Sequence, residues 1–244
     1  MIRVNHHVDT RPDLNPFDAL RDAILRGIAH ALSNRVAALG GIGMLADPGD
    51  IWTERLAKAL GDEAKRLEDI LRLMRLLPDD GRGEAGAIEL QPLVPDVIAL
   101  HAYNSALLQV ECAAVADRTT APVFANRPRL VHALLLAIDA AKRHAMVRGS
   151  RVVVSYAGDA ERVAIRVVTE PSATAKPAGG PADDSLDAVR SADAALRAAL
   201  ARAGSDFPVA LTASGGFLQI ELTLPTLAAG RRDERDGIAA RSAV

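Results

Sequence analysis

The sequence predicts an α+β protein, a long antiparallel helical hairpin followed by a two-layer α/β sandwich, and three observations predict it. Apolar residues recur three or four apart over two long stretches, Leu20 to Leu39 and Leu56 to Met74, with a break at Asp47-Pro48-Gly49-Asp50 between them. From residue 88 the pattern changes to short β-branched runs alternating with helical ones, as in a layered domain. Hydrophobic residues make up 49% of the 244 and aromatics only 3%. The core is therefore built from Leu, Val, Ile and Ala, and Ala and Leu favour helices.

The elements follow in order. Residues 1–14 are polar and read as a flexible N-terminus. Asn15-Pro16 reads as a cap followed by proline at the first helical position. The first helix runs to about Ala46, with Leu20, Ile24, Ile28, Leu32, Val36 and Leu39 as its stripe. Asp50 caps a second helix over 51–77, striped by Leu56, Leu60, Leu67, Leu71 and Met74. One hairpin over 15–77 buries one stripe per helix, so half of a four-helix bundle, and hence a homodimer, is expected. Residues 78–87 (PDDGRGEAGA) are a linker by composition. The sandwich then spans 88–226. Strands are expected at 88–90, 110–112, 122–125, 151–156, 162–168, 209–212 and 217–224, and helices near 92–108, 128–147 and 185–203. Gly158-Asp159 reads as a hairpin turn, 171–184 as a low-complexity loop and 227–244 as a disordered tail.

Composition excludes several classes. The formal net charge is -2, and Arg231, Arg232 and Arg235 are offset by Asp233, Glu234 and Asp236. No basic footprint for nucleic acid results. The single cysteine, Cys112, excludes an intramolecular disulfide and a cysteine zinc cluster. No apolar run has the length of a membrane span, and the polar start lacks the apolar stretch of a signal peptide. A cytoplasmic protein is the expectation, with no membrane and no nucleic acid among its partners.

His30 is the candidate site residue. On a helix its neighbours three and four away are Arg26, Gly27, Ser33 and Asn34, with Ala23, Ala37 and Ala38 one turn further. This face of small and polar residues leaves room for another protein's active site. A neutral imidazole is nucleophilic near pH 7, and Arg26 is placed to pair with a phosphoryl charge. On the helix pattern alone an ordinary surface histidine is the competing reading. His6 and His7 lie in the loose terminus; His101 and His132 are read as lying on helices without a carboxylate or cysteine constellation.

These residues resemble a family. His30-Ala31-Leu32-Ser33-Asn34-Arg35-Val36 resembles the phosphoacceptor box of bacterial sensor histidine kinases, and 63–71 resembles their second dimerisation helix. The run 126–135 is similar to the start of the N-box helix of the attached GHKL-type ATPase domain, and 214–225 to its closing strand. The resemblance spans roughly 15–226. The chain departs from the kinases at four places. Ala31 replaces the acid after the histidine. Ala140-Ala141-Lys142-Arg143-His144 stands where an Asn-Ala-x-Lys-His run would hold magnesium. Thr169-Glu170-Pro171-Ser172-Ala173 stands where the adenine-reading Asp-x-Gly-x-Gly would be. No glycine-rich lid precedes 185–203.

A domain without these groups loses the electrostatic supports of phosphoryl transfer from ATP. Hairpin and degenerate domain together look like the histidine phosphotransferases of the ChpT type. That resemblance implies phosphoryl carried on His30, taken from a receiver-domain aspartate and passed to a response regulator. No cofactor of its own is implied; magnesium comes with the receiver. Receiver domains, and a hybrid histidine kinase carrying one, are the implied partners, and Asn34 is implied as a site residue that positions water in dephosphorylation. Two alternatives stay open: a divergent ATP-dependent kinase with Asp139 as metal ligand, and a non-catalytic dimeric scaffold for receivers.

Overall fold

The computed structural model describes residues 16–45, 54–77, 83–116, 120–171, 198, 207–214 and 217–233. Two helices come first, α1 over Pro16–Leu45 and α2 over Glu54–Met74. They form the expected hairpin, and the expected cap at Asn15 lies outside the described residues. Then come β1 (Ala85–Ile88), α3 (Leu90–His101), a 3-10 turn (Ser105–Leu107), β2 (Cys112–Ala116), β3 (Val123–Asn126) and α4 (Arg127–Arg148). The chain closes with β4 (Ser150–Gly158), β5 (Arg162–Pro171), β6 (Val209–Ser214) and β7 (Phe217–Pro225).

The main sheet has the order β2-β4-β5-β7-β6, with β2 parallel to β4 and the other neighbours antiparallel. One face is apolar by strict alternation: Val163, Ile165 and Val167 of β5 and Leu218, Ile220, Leu222 and Leu224 of β7 are buried. The helices α3 and α4 cover it. On α4, Leu130, Leu134, Leu135, Ile138, Ala141 and Ala145 are buried. Asn126 caps α4 by accepting from the Arg129 N–H at 3.0 Å, and Gly149 ends it at φ 64°, where a side chain would be strained. The turn at Gly158-Asp159 is present: the Asp159 carboxylate accepts from the N–H groups of Glu161 (2.8 Å) and Arg162 (2.9 Å).

Several expectations are corrected. The linker is shorter than 78–87, because β1 begins at Ala85 and pairs with β3 from Ala85↔Asn126 to Ile88↔Val123. Ala-Gly-Ala carries no strand signal of its own; pairing with a neighbour distant in sequence makes it one. The helix expected over 92–108 ends at His101, and the strand expected at 110–112 lies at Cys112–Ala116. The tail is ordered at its start. Residues 227–233 are helical, Ala229 and Gly230 are buried, and Gly230 lies so close to Phe124 that a Cβ there would meet the ring at 2.4 Å. The expected loop 171–184 and helix 185–203 lie outside the described residues, Pro171 and Ala198 apart.

The stripes of the hairpin divide differently from the expectation. On α1, Leu20, Ile24 and Ile28 are at most 2% exposed, while Val36 is 64% and Met44 90% exposed. The first half of α1 joins one hydrophobic core with the sandwich, and Phe17 packs on His132 of α4 with ring centroids 3.5 Å apart and the rings tilted by 35°. On α2 the buried positions are Glu63, Ile70 and Leu73, about one residue round from the expected stripe, and Leu60 and Leu71 stay exposed. Among the described residues no helix is long and apolar enough to cross a membrane.

Candidate functional site

His30 lies near the middle of α1, exposed, just past the last fully buried stripe residue, Ile28. Its Nε2 is 3.3 Å from Nδ2 of Asn34, one turn on. An amide nitrogen is only a donor, so Nε2 accepts. Ser33, also beside His30, donates its hydroxyl hydrogen to the Ala29 carbonyl at 2.9 Å and so does not donate it to the imidazole. Arg26 is exposed one turn before. The helix thus brings His30, Asn34 and Arg26 to one stretch of surface. Ala31 packs partly buried against the core.

The small-residue face needs a correction. Gly27 does not leave space for a visitor. A Cβ on it would lie 1.9 Å from the backbone carbonyl oxygen of Tyr103, in the corner after α3. Its smallness lets α1 approach the sandwich. The half-buried Tyr103 sits at the same junction: burial holds its phenol above the ordinary value, while Arg35 of α1 lowers it and Asp69 of α2 raises it. Further along, Arg35 donates to Glu63 at 3.2 Å and 3.3 Å, and Arg66 donates to the same carboxylate. Burial pushes the Glu63 carboxyl up, but Arg66 and Arg35 together hold it below its ordinary value. Arg72 of α2 pairs with Asp96 of α3. The hairpin is thus tied to the sandwich by packing and by charge.

A second constellation was not legible in the sequence. Asp139 of α4 is 9% exposed and His101 at the end of α3 is 1% exposed. The Asp139 Oδ1 is 3.3 Å from His101 Nε2 and accepts from Asn104 Nδ2 at 3.1 Å, while Oδ2 accepts from Arg143 Nε at 2.6 Å. His101 therefore does have a carboxylate partner, contrary to expectation. Burial lowers the His101 imidazole and outweighs its attraction to Asp139; burial raises Asp139, but His101 and Arg143 outweigh that and hold it below the ordinary value. The state is a neutral histidine beside a charged carboxylate. Only the Asp139–Arg143 pair, four apart on a helix, had a signal in the sequence. His101 and Asn104 lie 38 and 35 residues away.

Both oxygens of Asp139 are engaged, and Arg143 already neutralises its charge. That is a poor fit for a magnesium ligand, which needs open oxygen positions. Thr169, first of the run standing where the adenine-reading motif would be, lies inside β5. The residue is 1% exposed, and its hydroxyl accepts from the Leu218 N–H at 2.9 Å and completes the pairing with β7. Among the described residues no group of three or more His, Cys, Asp or Glu is placed to hold a metal.

No protein-family profile and no curated protein matches the chain. Among solved structures it is similar to the Acinetobacter baumannii histidine kinase AdeS, at 18% identity over 81% of this chain and 98% of that one, with a TM-score of 0.41. A histidine kinase from Burkholderia phymatum STM815 is similar at 15% identity over 88% and 99%, TM-score 0.41. Histidine kinase ThkA, in complex with the response regulator protein TrrA, is similar at 12% identity over 88% and 68%, TM-score 0.42. These are likenesses at low identity and low TM-score.

Proposed function

We propose that this protein is a histidine phosphotransferase of a two-component phosphorelay. His30 accepts a phosphoryl group from the aspartyl phosphate of a receiver domain and passes it to the aspartate of a response regulator. The lone pair of His30 Nε2 forms the N–P bond, and the P–O bond to the aspartate breaks, its electrons leaving with the carboxylate. The phosphoramidate formed is itself a reactive donor, so the same step in reverse delivers the group onward. Arg26, one turn before, offers a guanidinium to the phosphoryl charge. Magnesium belongs to the receiver in this scheme, and the chain needs no cofactor of its own.

The observation that carries this reading is the contrast between an exposed His30 and the engaged carboxylate of Asp139. The residues that would let the sandwich work on ATP are occupied in holding the fold: Asp139 ties α3 to α4, and Thr169 completes a strand pair. A kinase must also carry bound nucleotide to its histidine. Here Phe17, Leu20, Ile24 and Ile28 of the histidine helix are buried in the core shared with the sandwich. Burying such side chains contributes up to about 1.5–3 kcal/mol each, which opposes a swinging sandwich. We further propose that a second copy covers the half-exposed apolar side of the hairpin at Val36, Leu60 and Leu71, giving a homodimer.

The test is transfer without ATP. Receiver domains loaded by acetyl phosphate, with magnesium, are mixed with the chain, and acid-labile label on it is followed. Wild type takes up label and His30→Gln takes up none. Equal labelling of the two, or no labelling by any receiver with micromolar ATP binding in its place, would overturn the reading.

A further inference from the structure

We propose that Asn34 is a positioning residue that selects the reactive tautomer of His30 from the side of the attacking nitrogen. This rests on the relay reading and adds which neutral form of His30 stands ready for it. A neutral imidazole has its proton on Nδ1 or on Nε2, and only the nitrogen without it can attack phosphorus. The Nε2 atom stands at the tip of an exposed side chain and is the less hindered of the two. It attacks only when the proton is on Nδ1, a form that free histidine adopts in the minority. A protein sets the tautomer by the hydrogen bond it makes to one of the two nitrogens.

The usual way to hold a proton on Nδ1 is an acceptor beside that nitrogen. At position 31, next to His30, this chain has alanine, which packs against the core. No other hydrogen bond to the His30 ring is made among the described residues. The contact present is at the other end of the ring, Asn34 Nδ2 to Nε2 at 3.3 Å. The amide donates, so Nε2 is the acceptor and carries no proton. Ser33, the other polar neighbour, is removed by its bond to the Ala29 carbonyl. Asn34 thus does from one end of the ring what an acceptor would do from the other.

The proton balance follows. With the proton already on Nδ1, attack by Nε2 requires no base. The N–P bond forms from a free lone pair, the Nδ1 proton stays in place, and the aspartate leaves as its carboxylate. Asn34 must swing off Nε2 as the receiver docks; at 3.3 Å on an exposed surface the contact is weak enough to be exchanged. The resting tautomer is thereby set in a histidine that has no acid beside it.

The experiment reads the tautomer directly, by long-range 15N–1H correlation of the His30 ring at a pH where imidazole is neutral, with His30→Gln giving the assignment. A hydrogen bond of this kind shifts the tautomer ratio about two- to fivefold. Wild type is expected to be enriched in the Nδ1–H form. Asn34→Ala is expected to lose that enrichment, while the initial rate of labelling does not fall with it, because the contact is given up before Nε2 attacks. Asn34→Asp reverses the contact, because a carboxylate accepts, so it favours Nε2–H, the form that cannot attack, and slows labelling. An unchanged tautomer ratio in Asn34→Ala overturns the proposal and makes the contact an ordinary pair of helix neighbours. If the ratio shifts while wild type takes no label from any receiver, the relay reading fails and the tautomer assignment stands.

Discussion

Replacing Gly27 by alanine should destabilise the protein, although the same change elsewhere in these helices should stabilise it. In an open helix interior, glycine to alanine gains about 1 kcal/mol. At Gly27 the new Cβ would stand 1.9 Å from the Tyr103 carbonyl oxygen and 2.8 Å from its carbon, whereas Cβ contacts under 3.0 Å are essentially never seen. Backbone must therefore give way by about 1 Å, lifting α1 from the corner that carries Tyr103. Overpacking of this kind costs about 1–3 kcal/mol. Set against the helical gain, the net loss is up to about 2 kcal/mol, or up to about 8 °C in Tm for a chain of this size. Gly40 and Gly61 are the controls, since nothing lies within 4 Å of a Cβ at either. Alanine there should raise stability by about 0.5–1 kcal/mol. Thermal and urea unfolding followed by circular dichroism read the three variants. Amide exchange over residues 100–107 then shows where the damage falls. A Gly27→Ala protein as stable as the Gly40→Ala one would refute the close docking of α1 on the sandwich.

Two further outcomes are expected. Burial lowers the His132 imidazole to about 4, while in the unfolded chain it titrates at the ordinary 6.5. Between these values the unfolded state binds a proton that the folded state does not, so stability falls as pH drops through this window, by about 1–2 kcal/mol after allowance for partial exposure. His132→Phe keeps a ring against Phe17 and should flatten that part of the urea-midpoint profile; an unchanged slope in the variant would show that His132 does not carry it. The proposed dimer should appear at micromolar concentration by light scattering, and Val36→Glu, at a position 64% exposed in a single chain, should weaken it; a wild-type monomer at that concentration would count against the bundle.

What the sequence determined by itself was local. The 3.6-residue spacing from Leu20 onward, the Asp-Pro-Gly-Asp break and the alternation of β5 and β7 depend on near neighbours, and so does the exposure of His30 beside Arg26 and Asn34. What only the tertiary structure decided depends on partners far along the chain. The α1 stripe reads as one periodic run, yet Leu20, Ile24 and Ile28 in its first half are buried in the core shared with the sandwich while Val36 in its second half stays exposed, because periodicity says which face is apolar and not what covers it. Gly27 reads as one more small residue beside His30 until the Tyr103 carbonyl, 76 positions away in sequence, is placed against it. Asp139 reads as an available carboxylate until His101 and Asn104 fold onto it. A carboxylate's capacity to hold a metal depends on which donors have already taken its oxygens, and that is settled only when distant segments pack together.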